Sequence, residues 1–484
     1  MSRRDTNSLH LFMPWVQTHG YRRNAAPRCV DLGLMIVPQN RLLFWFAAVV
    51  LPFAFLGMVE PAAAILSLAC ICVFVIVTIV DAIGARATLT GISVDAPPII
   101  RMSKDRDAKL ELRIRNEQLR PRFLRLALAL PQAIRSAQDD LQLQLPAASE
   151  WSRLAWSCLP LRRGNYPFEA AYLEGGSPLG FWAIRKAMPV HSEIRVYPNL
   201  MTDRKNLSAL FLHRGAFGLH AQRQVGKGRE FEKLREYAPG DGYDEIHWKA
   251  TARRGHPITK VFQIERTQEV YVVIDASRLS ARAVTAEPGT ENPELETSAL
   301  ERFITAALVL GLAAEQQGDL FGLVTFTNKV EKFVRARNGK AHYSLCRDAL
   351  YTLQPKIVSP DYDELCTFIR LRLRRRSLLF FLTSLDDPVL AENFVRKVEL
   401  IRGQHLVLVN MLQPSGVSPM FTEPNAVSTD DLYQRLGGHL QWHKLRELEK
   451  VLKRRGVHFS LLQNERLSNE LVSQYLNVKR RQLL

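Results

Sequence analysis

Cysteine is scarce in this sequence, with six residues in 484 and no CxxC pair among them. The six are Cys29, Cys70, Cys72, Cys158, Cys346 and Cys366. Their scattered positions exclude a disulfide framework of the kind that stabilises small secreted domains, and they exclude the usual zinc motifs. This usage is typical of a protein that folds in a reducing compartment.

Acidic residues are also in short supply. The chain has 48 aspartates and glutamates against 65 lysines and arginines, which gives a net charge of +17 and an isoelectric point near 9.8. Such an excess predicts acidic partners or an acidic surface. The densest basic runs are residues 370–376 and 479–481, and attraction to anionic membrane lipid is the simplest interpretation. Nucleic acid is the alternative, but no recognisable nucleic-acid-binding module accompanies the charge, so we do not expect it as a partner.

Common catalytic signatures are missing as well. The patterns HExxH, GxSxG and the phosphate-binding P-loop do not occur in the sequence. Their absence argues against zincin metalloproteases, esterases with a nucleophile elbow and P-loop NTPases. From the residues alone, we do not expect an enzyme.

Two long runs lack any charged residue, 42–59 and 62–80. As helices they would measure roughly 27–29 Å, close to the thickness of a bilayer's hydrocarbon core. A hairpin buried in a soluble core is the alternative, but both runs are apolar on every face, which favours a transmembrane hairpin over residues 41–82. Arginines precede the first run and Arg86 follows the second, so the positive-inside rule predicts that both ends of the chain are cytoplasmic. Residues 1–40 then form a basic cytoplasmic tail.

Residues 83–200 show the period of two that is typical of half-buried strands. The alternating apolar positions are Leu110, Leu112 and Ile114, then Leu124, Leu126, Leu128 and Leu130, then Leu141, Leu143 and Leu145. With turn residues between the runs, the pattern predicts a β-sandwich of immunoglobulin-like kind.

Residues 267–484 alternate between apolar strands and amphipathic helices. Strands are predicted at 270–275, 319–326, 377–383, 405–411 and 457–462, and helices at 300–316, 392–401, 440–453 and 469–476. This order predicts an α/β domain with a parallel sheet and helices on both faces.

Residues 201–266 comprise a linker and the most distinctive segment of the chain, which reads GREFEKLREYAPGDGYDEIHWKATARRGHPITKVFQIER from residue 228. Phe231, Leu234 and Tyr237 recur every three residues, which predicts one face of a short helix. The Pro-Gly-Asp-Gly sequence that follows predicts a turn. A solvated charged surface is the alternative, but it would not require both Tyr237 and Trp248.

This segment resembles the signature of the domain-of-unknown-function 58 family. The matching positions are Leu234, Arg235, Glu236, Tyr237, Pro239, Gly240, Asp241, Ile246, His247, Trp248, Lys249, Ala252 and Arg253. Members of that family are bacterial, are usually tethered to a membrane and contain a region similar to a von Willebrand factor A domain. The resemblance therefore implies a von Willebrand factor A-like fold for residues 267–484 and a location in the bacterial inner membrane. Residues 162–166, 177–181 and 196–198 also resemble the family's pattern, with Gly164 and Gly180 as turn positions.

The signature mixes charged residues with large aromatic ones, and buried charges persist only when they are paired. We interpret it as a buried ion-pair network that locks the sandwich onto the α/β domain, in which Arg235 and Arg253 pair with neighbouring carboxylates. Burial of Trp248 in this lock predicts that its truncation to alanine costs a few kcal/mol.

The end of the first α/β strand is a candidate metal site. Asp275 and Ser277 match the start of the Asp-x-Ser-x-Ser motif by which von Willebrand factor A domains hold a divalent cation such as Mg²⁺. Carboxylate and hydroxyl oxygens suit such a cation. The third motif position is Leu279, however, and the second strand is followed by Thr383 and Ser384 rather than by the usual Thr-Asp-Gly. The alternative is that Asp275 hydrogen-bonds a neighbouring loop.

Taken together, these features predict a membrane-anchored interaction or adaptor protein. The family resemblance implies a partnership with a MoxR-type AAA+ ATPase in the assembly or maturation of a client complex. Two other functions stay open at this point: a divalent-metal-dependent hydrolase and a membrane-tethered nucleic-acid-binding protein.

Overall fold

The computed structural model describes residues 34–147, 149–201, 203, 225–238, 242–263, 268–284, 297–420 and 428–481. Three sequence predictions fall outside these ranges: most of the basic tail, the linker that follows residue 203, and the Pro239-Gly240-Asp241 turn of the signature.

Two apolar helices begin the described part of the chain. Helix α1 spans Asn40–Val59 and contains one π-helical turn, and helix α2 spans Ala64–Arg86. Both are long and apolar enough to cross a membrane, and their most apolar stretches are only 0% and 6% buried. Such exposure is unlike the core hairpin of a soluble protein. The helices approach closely at Gly57, where an added Cβ would lie 3.3 Å from the Cβ of Ser67.

A domain of two β-sheets follows and also includes a strand that precedes the helices. The strands are β1 Met35–Pro38, β2 Ile92–Asp95, β3 Ile99–Ser103, β4 Ala108–Asn116, β5 Arg122–Leu128, β6 Ile134–Ser136, β7 Asp140–Leu145, β8 Trp151–Pro160, β9 Gly164–Gly176 and β10 Trp182–Tyr197. One sheet has the order β1-β10-β9-β5-β7, with β3 also pairing with β10, and the other has the order β2-β4-β8-β6. Alternate residues of both sheets point into one shared apolar core, as the period of two predicted.

Strand β1 corrects the predicted boundary of the basic tail at residue 40. Met35 pairs with Arg185 and Pro38 with Trp182, so this strand is an antiparallel edge of the first sheet. Directly after it, the amide of Gln39 donates to the carbonyl of Phe181 at 2.8 Å. The chain is therefore fixed to the β domain immediately before it enters α1.

The C-terminal domain is a six-stranded sheet with helices on both faces. Its sheet strands are β13 Glu269–Asp275, β16 Leu320–Phe326, β17 Val330–Arg337, β18 Leu378–Leu382, β19 Leu406–Leu412 and β20 His458–Leu462; β14 Ala283–Val284 and β15 Thr297–Ser298 form a separate small pair. Its helices are α4 Ala299–Gln316, α5 Lys340–Leu350, α6 Tyr362–Arg372, α7 Pro388–Lys397, α8 Glu399–Arg402, α9 Thr429–Arg454 and α10 Leu467–Arg481.

The sheet order of this domain is β17-β16-β13-β18-β19-β20. The four pairings from β16 to β20 are parallel, and β17 joins the edge in antiparallel orientation. Helices α4, α5 and α10 pack on one face, and α6 to α9 pack on the other. Because every parallel strand is covered on both faces, its residues form continuous apolar runs, which made these strands visible in the sequence.

The signature segment folds as a two-stranded ribbon with a short helix. Strand β11, Val225–Glu236, pairs in antiparallel fashion with β12, Ile258–Gln263, and helix α3, Trp248–Arg254, lies between them. The predicted helix through Phe231, Leu234 and Tyr237 is therefore wrong. Three apolar residues spaced over seven positions are compatible with a helix and also with a bulged strand. Strand β11 is of the second kind, because it has two register shifts against β12.

Candidate functional site

Asp275 lies at the carboxyl end of the central strand β13, and its side chain is fully buried. Its Oδ1 accepts a hydrogen bond from the Ser277 amide at 2.8 Å, and its Oδ2 accepts one from the Thr383 hydroxyl at 2.7 Å. The Thr383 oxygen also lies 2.9 Å from the hydroxyl of Tyr362, which donates to it because the Thr383 proton is already used. Both carboxylate oxygens are thus occupied by internal donors.

The electrostatics of this edge do not favour a cation. Burial raises the pKa of the Asp275 carboxyl, and the hydrogen bonds from Ser277 and Thr383 only partly oppose that effect. Asp386, a second carboxylate that follows strand β18, forms an ion pair with Arg282. One Asp386 oxygen has no hydrogen-bond partner in the described ranges, but those ranges contain no cluster of three histidine, cysteine, aspartate or glutamate side chains.

The predicted Mg²⁺ site at Asp275 and Ser277 therefore does not fit the residues present. A hard divalent cation requires several negatively charged or neutral oxygens that are free to coordinate. Here one carboxylate is buried and internally satisfied, and the other is neutralised by a guanidinium. The arrangement matches the alternative that was weighed from the sequence, in which Asp275 fixes neighbouring loops.

The signature residues lie at the surface of the ribbon rather than in a buried network. Trp248 is 70% exposed and Tyr243 is 75% exposed, whereas Ile246 is 7% exposed and packs inward. Lys249 and Arg253 are exposed on the same short helix as Trp248.

The predicted lock is not seen in the described part of the signature. Arg235 is exposed, and Tyr237 stacks on Tyr243 with ring centroids 6.2 Å apart. Helix α3 is capped within the segment itself: the Ala250 amide donates to Nδ1 of His247 at 3.0 Å. The buried, interdomain role predicted for Trp248 and Arg253 is therefore wrong, because both side chains face solvent.

The contact between the two domains is made instead by the turn before β9. The Arg163 side chain is 1% exposed, and its Nε lies 2.7 Å from Oε1 of Glu301 in the first turn of α4. Its Nη1 donates to the carbonyls of Leu350 and Tyr351, both at 3.1 Å. Burial lowers the pKa of the Arg163 guanidinium, and Glu301 opposes that shift by stabilising the charged form.

The last strand of the β domain strengthens this junction. The ring of Tyr197 lies 5.0 Å from that of Tyr351, and the guanidinium of Arg347 sits 4.4 Å from the centre of the Tyr197 ring. Lys104 adds a weaker ion pair with Glu301 at 3.9 Å. Residues 162–166 and 196–198 thus supply the domain lock that we had assigned to the signature.

The remaining family-like pattern, residues 177–181, holds the hairpin formed by α1 and α2. Asp81, near the end of α2, accepts hydrogen bonds from the Ser177 hydroxyl at 2.6 Å and from the amides of Leu179 and Phe181 at 2.9 and 3.3 Å. The indole of Trp182 donates to the Thr78 carbonyl at 2.9 Å. This loop therefore clasps the end of α2, while β1 fixes the start of α1 to the same sheet.

Residues 233–418 match a family model described as "Protein of unknown function DUF58". Residues 233–418 are therefore a DUF58 region. This match covers the signature from Lys233 onward and much of the α/β domain.

Related sequences add no activity to this family match. Uncharacterized proteins of Mycobacterium bovis and Mycobacterium tuberculosis are 26% identical to it over 195 residues. That stretch covers 40% of this chain and 57% of each relative, so the chain spans little more than half of their length.

Solved structures show only distant likeness to this protein. An aerotolerance-related membrane protein of Bacteroides fragilis is 15% identical, with 43% of this chain and 98% of that chain covered and a TM-score of 0.28. The conserved hypothetical protein BatB of Bacteroides thetaiotaomicron is 14% identical, with coverage of 44% and 99% and a TM-score of 0.27.

Two residues that join parts of this protein were not predicted from the sequence. Arg163 and Asp81 are each a single charge whose partners lie about a hundred residues or more away in the sequence. The position of Arg163 within a family-like pattern could have indicated its importance. For Asp81 the indication was its place directly after an apolar run without charges, because an ionisable residue at the end of a membrane-spanning helix needs a partner.

Proposed function

We propose that this protein is a membrane-anchored, cytoplasm-facing adaptor that works with a MoxR-type AAA+ ATPase in the assembly or maturation of a client complex. In this proposal it resides in the inner membrane of a bacterium as a two-pass protein with both termini in the cytoplasm. Its β domain is of immunoglobulin-like kind, and its C-terminal domain is von Willebrand factor A-like.

The topology proposal is supported by the attachment of both hairpin ends to one domain. Strand β1 and Gln39 hold the start of α1 to strand β10 and the Phe181 carbonyl, and Asp81 near the end of α2 is held by the loop just before β10. A single folded domain lies on one side of a membrane, so both ends of the hairpin emerge on that side. The arginines that flank the hairpin favour the cytoplasmic side.

A rigid connection between membrane and α/β domain supports the adaptor role. Asp81 joins the hairpin to the β domain, and Arg163 joins the β domain to α4. Since both contacts involve buried charged groups with several partners, relative motion of the three parts would expose unpaired charge. Such a scaffold holds its outer surfaces at a fixed place above the membrane.

The observation that carries the proposal is the exposure of the signature. Trp248 is 70% exposed beside the cations Lys249 and Arg253. Tryptophan and arginine are the residue types that contribute most often to the energy of protein interfaces. A recognisable family signature that presents an aromatic ring and two cations to solvent is best explained as a surface that a partner binds.

Co-purification tests this function. Tagged full-length protein would be solubilised in mild detergent with ATP and magnesium, and proteins that co-purify would be identified by mass spectrometry. We expect a MoxR-type ATPase with the unmodified chain and its loss with Trp248→Ala combined with Arg253→Ala. The matched control is Trp151→Ala combined with Arg153→Ala, since these residues are also an exposed aromatic–arginine pair but lie on strand β8.

Two results would contradict the proposal. One is a well-folded preparation that recovers no ATPase; the other is an ATPase retained equally by both double variants. Metal-dependent turnover that Asp275→Ala abolishes would instead favour the hydrolase. Salt-sensitive binding of DNA or RNA would favour the nucleic-acid-binding alternative.

A further inference from the structure

Three loops of the α/β domain meet in a row at the amino-terminal edge of its sheet. They precede the neighbouring strands β18, β19 and β20. The side chain of Gln404 in the second loop donates to the carbonyls of Leu373 and Arg374 in the first, at 3.0 and 2.9 Å. Arg402 donates to the carbonyl of Arg455 in the third at 3.0 Å. These hydrogen bonds fix the three loops against one another.

This row, which we call the basic edge, is rich in positive charge. Its cations are Arg370, Arg372, Arg374, Arg375, Arg376, Arg402, Lys453, Arg454 and Arg455. Glu399 pairs with both Arg402 and Arg455, and Glu269 lies 3.7 Å from Arg375.

Part of this charge remains uncompensated. Arg374, Lys453 and Arg454 are exposed, and no carboxylate within the described ranges forms an ion pair with them. Cations at the last turn of a helix stabilise its dipole, which accounts for residues such as Arg372 and Arg454. It does not account for Arg374, which follows the end of α6.

Exposed aliphatic side chains accompany these cations. Leu371 is 70% exposed, Leu400 is 39% exposed and Val451 is 40% exposed, and each lies at or near the end of a helix that leads into the basic edge. Sites that bind single-stranded nucleic acid combine cations with aromatic platforms on which bases stack. Leu371, Leu400 and Val451 instead offer aliphatic surface, which the apolar face of a protein segment can cover.

The position of the basic edge separates it from the membrane. The hairpin is held by the loop after β9, whereas the domain junction at Arg163 lies just before β9. Strand β9 has 13 residues and spans roughly 40 Å. The junction in turn involves Glu301, near the carboxyl-terminal edge of the sheet, so the height of the sheet lies between it and the basic edge. The basic edge therefore lies at the far end of the α/β sheet from the junction with the β domain, which favours a protein partner over lipid for these cations.

We propose that the basic edge is a second docking surface, which binds an acidic, amphipathic segment of a protein partner. Carboxylates of that segment pair with Arg374, Lys453 and Arg454, and its apolar face covers Leu371 and Val451. This surface lies on a different part of the chain from the signature ribbon, and the proposal does not depend on the ATPase partnership.

Fluorescence anisotropy with full-length protein in nanodiscs of zwitterionic lipid would test the proposal. The probe is a labelled 20-residue helical peptide with glutamate on one face and leucine on the other. We expect saturable binding that weakens about tenfold or more in the triple variant Arg374→Glu, Lys453→Glu, Arg454→Glu, because reversed charges oppose the carboxylates. Leu371→Ser should also weaken binding without changing its dependence on salt. Arg113→Glu combined with Arg153→Glu, on exposed positions of the β domain, is the control for a change in charge alone.

Three outcomes would overturn the proposal. Equal binding by the triple variant and the unmodified chain would show that the basic edge is not the site. Equal losses in the triple variant and the control would show that overall charge alone is responsible. Tighter binding of a labelled 20-nucleotide DNA, lost in the triple variant but not in the control, would assign the edge to nucleic acid. Peptide binding at the basic edge is expected even if the co-purification experiment recovers no ATPase.

Discussion

Arg163 and Glu301 form the buried ion pair that joins the β domain to the α/β domain. The Nε of Arg163 lies 2.7 Å from Oε1 of Glu301, and the arginine side chain is 1% exposed while the glutamate is 18% exposed. The same guanidinium donates to the two carbonyls at the end of α5. One side chain of a turn in the β domain thus ties together two helices of its neighbour.

Replacing Arg163 with methionine should destabilise this junction by roughly 3–5 kcal/mol, because it leaves a partly buried carboxylate without its partner. Urea denaturation of the detergent-solubilised chain, followed by fluorescence and by limited proteolysis, would measure the loss. In the Arg163→Met variant we expect the β domain and the α/β domain to unfold in separate steps. Arg162→Met is the matched control, since Arg162 is exposed one position earlier. Equal stability of the two variants would show that Arg163 does not hold the domains together.

The sequence pointed to the region of this junction but not to its role. Residues 162–166 resembled a family pattern, and Gly164 was expected in a turn; its φ of +152° lies in a region that side chains other than glycine rarely adopt. The two carbonyls that Arg163 meets are 187 and 188 positions away, however. Local periodicity carries no information about which distant carbonyl a side chain meets, so the lock was assigned to the wrong segment.

Trp248 and Trp156 are predicted to differ sharply in their contribution to stability. Trp248 is 70% exposed, whereas Trp156 is 3% exposed and donates from its indole to the Ser136 hydroxyl at 2.7 Å. Truncation of Trp248 to alanine should change the free energy of unfolding by less than about 0.5 kcal/mol. Truncation of Trp156 should cost about 3–5 kcal/mol because it empties a packed core. Thermal and urea denaturation would compare them, and a large loss for Trp248→Ala would restore the buried role that we first expected.

The strands and helices of the α/β domain were easier to predict than its candidate site. Strands such as 270–275 and 378–382 are buried on both faces, so each is a continuous apolar run that can be recognised from its own residues. The state of Asp275 depends on Thr383 and Tyr362, which come from two other elements. A motif match could suggest ligands, but it could not reveal that internal donors already occupy the carboxylate.

Asp81 is predicted to couple the hairpin to the β domain. Asp81→Ala removes the acceptor for the Ser177 hydroxyl and for the amides of Leu179 and Phe181. Donors left without partners cost about 1–3 kcal/mol, so the loop should open more often. Hydrogen exchange in micelles should then accelerate at these two amides. The thermal unfolding temperature of the α/β domain should not change.

Asp95→Ala, an exposed carboxylate on strand β2, is the control for this measurement. Unchanged exchange at residues 179 and 181 in Asp81→Ala would show that the loop keeps its conformation without the carboxylate. Equal acceleration in both variants would point to a general loss of stability rather than to a specific contact.

Asp275 should make the stability of the α/β domain depend on pH in the acid range. Burial raises the pKa of its carboxyl in the folded chain above the ordinary value of 3.8. Below that value both states are protonated; as pH rises, the unfolded chain ionises first, and the folded state loses stability until its own pKa is passed. The variant Asp275→Asn cannot ionise, yet its amide oxygen can still accept from the Ser277 amide. Urea denaturation from about pH 4 to pH 7 should therefore show the unmodified chain losing stability relative to this variant as pH rises. A difference that stays constant with pH, or that grows in favour of the unmodified chain, would mean that Asp275 is held ionised by its hydrogen bonds.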